Sequence, residues 1–536
     1  MSTPELVLVG GTVVTVDAAG STAQAVAVTD GKISAVGTNE EIRALAGPDT
    51  DVLDLDGKTV TPGFIDPHSH VTAGAPYIKH AALHTPPVGD TRTVDDIMRK
   101  LREAKERNNT QPGEWILGWG YYPDEMDDGG GITAEIIDSE FSEYRVALVH
   151  ISNHGGVANG LVLKDLGYDD TTEDPDGGTI IRIPGTQKPT GEVWEQAFFP
   201  LMFSLPPFGE AELRAMMDEY ARWGYVAAQD GAADWKAVKA VRESAEANPL
   251  PIDVKTLVFF PDLQTAIDDG IIGTEVSGHT VQGTKLILDG SPQGRTANVS
   301  EEYLTGGPSG ETHWHGIAVV DQEETNKVVE LAYRNSVQVY AHCNGDAAIT
   351  QLLEAHRAAK AAGATPPGRT IPIHSQVMKQ EQLDEYVAEG FEPSMFTIHT
   401  WLFGDTHVKN FGEKRAFGIS PMRSAIDKGL HPTNHSDFPV TPLNPLQLIW
   451  TAVERRSTGG VVIGADERVT PLEALRALTI NAAYEYHEED SRGSIEVGKR
   501  ADFAVLDANP LTVETAAIQS ISVLRTIKDG TTIYTA

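Results

Sequence analysis

Apolar residues recur with two different periods along this chain. Residues 5–60 carry short β-branched runs, ELVLVGGTVVTV, AVAVTDGKISAVG and DVLDLDGKTV, broken by Gly-Gly and Asp-Gly. Such runs predict strands joined by tight turns. The C-terminal stretches ADFAVLD and VLRTIKDGTTIYTA read the same way. Each set is small for a core of its own. The two ends are therefore expected to pair as one composite β-sandwich, residues 1–61 with 485–536.

Between them, apolar strand-like runs alternate with helical patterns such as AELRAMMDEYARW and ETNKVVELAYRN. That alternation predicts a parallel α/β fold. The candidate strands are 63–67, 115–119, 145–151, 224–230, 252–260, 284–288, 337–341, 370–374, 395–399 and 430–435. This is two more than an eight-stranded barrel needs. Assigning 115–119 and 145–151 to an insertion over residues 80–211, rich in Gly, Pro and Asp, removes the excess. The expectation is a distorted (β/α)8 barrel of residues 62–79 and 212–484, with the insertion over its mouth.

Composition narrows the function classes. Of 536 residues, 40% are hydrophobic and 22% charged, an ordinary globular balance. The net charge of −35 repels phosphate backbones and anionic lipid, so neither nucleic acid nor membrane is an expected partner. Cys343 is the one cysteine, which excludes an intrachain disulfide framework and a thiolate zinc ribbon. No signal-peptide pattern is visible, and a cytoplasmic location is expected.

Barrel sites form where the C-terminal ends of the strands open into loops. There the chain places His68 and His70 (TPGFIDPHSH), Lys285 (GTKLILDGS), His342 (VYAHCNGD), His374 (IPIHSQV) and Asp437 (PTNHSDFPV). Residues i and i+2 of an extended segment face one side, so His68 and His70 can grip one ion. Alone the pair is a weak signal. With two more strand-end histidines and a carboxylate it predicts a metal site, zinc first, then manganese, iron or nickel.

At these residues the chain resembles the amidohydrolase superfamily, in its YtcJ-like branch (amidohydrolase family 3), which includes N-substituted formamide deformylases. The markers are TPGFIDPHSH, SNHGGVANG, PTGEVWEQA, GYVAAQDGA, KLILDGSPQGRTA, AHCNGDAAI, IPIHSQV, HSDFPV and GSIEVGKRADFAVLDANP, spread over nearly the whole chain. The resemblance implies the same barrel and sandwich. It puts His68 and His70 on a buried metal, and His342 and His374 on a second. It makes Asp437 both ligand and catalytic acid/base. Lys285 would be a CO2-carboxylated bridge between two metals, the alternative being a lysine paired with a carboxylate such as Asp289.

Other residues follow as weaker candidates. Glu195 is a possible ligand or lid contact. His154, Asp289, Arg295 and His399 are candidates for substrate binding. The second His-x-His, His313 and His315, reads as loop. Cys343 reads as a small buried filler, and Asp346 as a helix cap. The expected activity is hydrolysis of a C–N bond in an amide, possibly an N-substituted formamide, with one or two metal ions. Deaminase, carbamate hydrolase and ester hydrolase are alternatives, and a catalytically silent binding protein on this fold is a further one. The expected partner is a small-molecule substrate, and the expected assembly a homodimer.

Overall fold

The computed structural model describes every residue except 1–2, 124–125, 152–154, 176–177, 207 and 309–310, together with the side chains of Glu195 and Phe199. The chain divides into two compact units, Met1–Ala73 with Met216–Ala536, and Gly74–Ala215.

The larger unit holds eight parallel strands. They are β1 (Phe64–Asp66), β2 (Tyr225–Ala233), β3 (Asp253–Phe259), β4 (His279–Ile287), β5 (Gln338–Gly345), β6 (Ile371–Val377), β7 (Ser394–Met395) and β8 (Thr433–Asn434). They pair in sequence order from β1 to β8, and a short strand, Glu275–Val276, pairs antiparallel with β4. The first and last strands do not ladder, so the barrel is nearly closed rather than closed. Its rim is stitched across this seam. Asp437 N donates to His68 O at 2.9 Å, and His70 N donates to Phe438 O at 2.8 Å. Below them, buried Asp66 accepts from Ser436 N at 3.2 Å and Ser436 Oγ at 2.5 Å.

All eight strands lie where the alternating pattern placed them, but the last two are cut to two residues each. Residues 395–399 do not run on as strand. β7 stops at Met395, because Thr397 N donates to the Asn434 side chain instead of a neighbouring strand. Thr400 N then bonds back to Thr397 O, and helix α1 (His399–Leu402) begins. Before β8, Pro432 has no N–H to give and His431 N is taken by the Glu392 carboxylate, so only Thr433 and Asn434 pair.

Helices follow the strands. The helix Trp235–Ala247 starts at Asp234, and the helix Gln322–Arg334 at Asp321, each carboxylate accepting from the third residue on. Asp346 is not a cap. It occupies the first position of the helix Asp346–Ala361, whose N-cap is Gly345, and its carboxylate accepts from Ser300 N at 2.8 Å.

The larger unit has two further sheets, one built from both chain ends and one from the N-terminal end. One runs 531–535, 523–528, 503–506, 59–62, 12–14 and 22–23, and the other 32–37, 25–29, 6–9 and 51–54. Leu6, Val26 and Ile33 of one sheet share a buried cluster with Val13, Val60, Phe503 and Ile527 of the other. The smaller unit has a six-stranded sheet that includes Trp115–Tyr121, Arg145–His150 and Pro189–Glu195, with a core around Leu101, Ile137 and Leu148. Among the described residues, no helix is long and apolar enough to cross a membrane.

Candidate metal centre

Three groups converge at the end of β1 across the seam. His68 Nε2 lies 3.3 Å and His70 Nε2 3.2 Å from Asp437 Oδ1. Their ligand atoms all fall within 4.8 Å of one another. What these atoms carry follows from the far sides of the two rings. His70 Nδ1 sits 2.7 Å from Gly231 O, which can only accept, so Nδ1 holds the proton. Three residues fix the proton of His68. Pro67 O can only accept, so Tyr486 O–H donates to it at 2.8 Å. The tyrosine oxygen then receives Gln229 Nε2 at 3.2 Å. That turns Gln229 Oε1 towards His68 Nδ1, 2.6 Å away, which must donate.

Both Nε2 atoms therefore point lone pairs at a carboxylate oxygen. Acceptors gathered in this way need a proton or a cation between them. Burial holds His68 neutral, with its pKa pulled down to about 3. Burial raises the Asp437 carboxyl, and with both Nε2 atoms unprotonated a cation among the three groups would be what holds it ionised. Two neutral imidazoles with fixed tautomers and an ionised carboxylate are the donor set a divalent ion takes. The residues present fit a metal.

The next groups face this cluster from neighbouring strands. Lys285, on β4, is buried and places Nζ 3.0 Å from His68 Nε2, where an N–H meets the lone pair. Burial brings its pKa down to about 7, against the pull of Asp437. His374, on β6, lies with its ring 4.6 Å from that of His342 and 5.6 Å from that of His68. Its backbone has φ +77°, and Asp437 has φ +53°. Non-glycine residues rarely adopt such angles, and each costs about 1–3 kcal/mol that the surrounding packing must supply. His342, on β5, donates from Nδ1 to Asp289 Oδ1 at 3.0 Å. Its Nε2 meets the Asn344 amide at 3.2 Å.

The chain is similar to known proteins over nearly its whole length. The model of the amidohydrolase family matches residues 51–534. The chain belongs to that family. The N-substituted formamide deformylase of Arthrobacter pascens is 29% identical, over 99% of this chain and 98% of the relative. YtcJ of Bacillus subtilis is 26% identical, over 98% of each. The fold matches an uncharacterized metal-dependent hydrolase from Pyrococcus horikoshii at a TM-score of 0.75 and 21% identity, covering 95% of this chain and 99% of that one.

The structure distributes the remaining candidates unevenly for an amidohydrolase site. Asp289 is placed behind His342 rather than at a pocket surface. It is buried, and it spends Oδ1 on His342 and Asn344 N, and Oδ2 on Gly345 N and Asn298 N. These bonds go to His342 and to backbone amides, and none of them to Lys285. Arg295 is half-buried, with a guanidinium nitrogen 3.4 Å from Thr305 O. His399 does not end β7. It starts α1, buried against Phe396 and His407, with Nδ1 3.3 Å from His407 Nε2. His154 and the Glu195 side chain lie outside the described residues, although the Glu195 backbone ends the strand Pro189–Glu195. His313 is exposed beside Glu302, and Cys343 is buried, its thiol pushed up by burial.

Sequence reasoning missed Gln229, Tyr486 and His435. Gln229 stood out as a lone amide in the apolar run GYVAAQD, and His435 lies two residues before Asp437. Tyr486, 419 residues from Pro67, had no local signal.

Proposed function

We propose that this amidohydrolase is a metal-dependent enzyme that cleaves the C–N bond of an amide, with N-substituted formamides as the first substrate class. The observation that carries the reading is the convergence of His68 Nε2, His70 Nε2 and Asp437 Oδ1, with both Nδ1 protons committed elsewhere. The similarity to the formamide deformylase over nearly the full length supports the substrate class.

His68, His70 and Asp437 would hold a divalent ion, zinc first, with His342 and His374 able to serve a second. Such an ion lowers the pKa of water and polarises a carbonyl oxygen. The chain's own residues do the rest. Asp437, ionised beside such an ion, takes the proton of the attacking water and returns it to the departing nitrogen, which leaves as a neutral amine. Gln229 and Gly231 O keep both imidazoles in the tautomer that offers Nε2. Lys285, with its pKa near 7, is available as the neutral amine that adds CO2 to give a carbamate and a released proton. A carbamate there would bring a negative charge against His68 in place of an N–H.

The test is a substrate screen with zinc- or manganese-loaded protein against N-substituted formamides, other acyl amides, carbamates and cyclic ureas. Release of formate and amine from a formamide is the expected result. Turnover of esters alone, with every C–N substrate inert, would contradict the proposal.

A further inference from the structure

His374 is held from behind by a buried chain of hydrogen bonds that ends on a carboxyl group. Its Nδ1 lies 3.0 Å from His435 Nε2. His435 Nδ1 lies 3.0 Å from Ser394 Oγ. Ser394 Oγ lies 2.9 Å from Thr433 Oγ1, and Thr433 Oγ1 lies 2.8 Å from Glu485 Oε2. Every member is buried, none more than 2% exposed. The groups come from β6, the residue after β8, β7, β8 and the helix Ile480–Glu485.

We infer that Glu485, Thr433, Ser394 and His435 are positioning residues that set the tautomer of His374. This rests on the reading of His374 as part of the metal site. When every link carries a proton, the chain points one of two ways. Thr433 Oγ1 is placed to donate to Ser394 Oγ or to Glu485 Oε2, and it has one proton. An ionised Glu485 can only accept and takes it, and Thr433 Oγ1 is then left to accept from Ser394. His435 Nδ1–H then donates to Ser394, and His374 Nδ1–H donates to His435 Nε2. His374 Nε2 is left with a lone pair for a ligand. With a proton on Glu485 Oε2, every bond reverses. His435 then carries Nε2–H and His374 carries Nε2–H, which cannot ligate a metal. The chain is therefore a second device of the kind seen at His68, where Gln229 and Tyr486 fix the ring.

Burial raises the Glu485 carboxyl to about 8, with Asp66 and Glu392 adding to the rise and Lys285 opposing it. Its neighbours Tyr340 and Tyr486 are themselves pushed well above the usual phenol range, burial first, and stay uncharged. At pH 9 Glu485 is the acceptor end.

The experiment reads ring tautomers in metal-free protein at pH 9, by long-range proton–nitrogen spectra of 15N-histidine-labelled samples assigned with single variants. The wild type is expected to show Nδ1–H on both His374 and His435. Ser394→Ala removes the acceptor for His435 Nδ1–H and moves both rings to Nε2–H, whereas Ser394→Thr keeps the hydroxyl and the wild-type pattern. Thr433→Val, nearly the same shape, tests the next link and is expected to act as Ser394→Ala does. The second readout is competition with a zinc chelator, where Ser394→Ala is expected to weaken zinc about 10–100-fold and Ser394→Thr to restore it. Nε2–H on His374 in the wild type, or Nδ1–H retained on both rings in Ser394→Ala and Thr433→Val, would overturn the inference. If the tautomers behave as stated but the wild type binds no zinc, the metal reading falls and the positioning role stands.

Discussion

At the scale of single residues, the site depends on which atom carries a proton. Asp437 lies against both His68 and His70. Asp437→Asn cannot take or return a proton, so turnover is expected to fall about 10²- to 10⁴-fold with the fold intact. Steady-state rates beside a circular dichroism spectrum check this. Tyr486 acts at one remove. Tyr486→Phe frees the Gln229 amide to turn over and present N–H to His68 Nδ1, so zinc affinity is expected to drop about tenfold, read by chelator competition. The buried histidines also set an acid limit. Burial first brings His68 and His407 down to about 3 and His279 to about 4. In the unfolded chain each titrates near ~6.5. Below that pH the unfolded state binds more protons, so this stability is complete above about pH 6.5 and is lost as the pH falls toward about 3. Thermal midpoints of metal-free protein are expected to decrease steadily between pH 7 and 5, and an unchanged midpoint would count against neutral buried rings.

At the scale of elements, the barrel order was legible because parallel strands buried on both faces read as continuous apolar runs. The runs around Val226, Val254, Val339 and Ile371 placed β2, β3, β5 and β6 within a few residues. β7 and β8 were overrun because their ends are decided by distant donors and acceptors, such as Asn434 for Thr397 and Glu392 for His431. No local pattern contains that information, and the helical start at His399 followed from it. Elements also meet the site through glycine. A Cβ on Gly231 would come 2.5 Å from His68 Cε1 and 3.0 Å from its Nδ1. Gly231→Ala is expected to push the ring out of line and weaken zinc about 10–100-fold with little loss of thermal stability. Chelator competition and a melting curve on the same sample separate the two effects.

At the scale of the molecule, charge ties the C-terminal segment to the barrel. Arg492 is fully buried, bonded to Asp253 Oδ2 at 2.7 Å and to Asp502 Oδ2 at 2.6 Å. Asp253, at the start of β3, also meets Arg500 at 2.7 Å and Lys528 at 2.8 Å. Burial opposes its charge, but these cations, Arg492 first, hold it far below the usual range. Arg492→Gln leaves buried carboxylates short of a partner, and a loss of about 3–5 kcal/mol is expected, seen as a lower melting midpoint. None of this was visible in the sequence, where Asp253 and Arg492 are 239 residues apart. The candidate ligands were legible because each is a histidine or aspartate at or just past the end of an apolar strand run. Their supports, Gln229, Tyr486, His435, Ser394, Thr433 and Glu485, were not, because polar residues that serve other side chains carry no spacing rule of their own.

The most direct test of the central claim is anomalous scattering at the zinc edge from crystals of the zinc-loaded protein. A peak about 2.0–2.2 Å from His68 Nε2, His70 Nε2 and an Asp437 carboxylate oxygen is the expected result. A crystal of active enzyme with no metal peak among these three residues would contradict it.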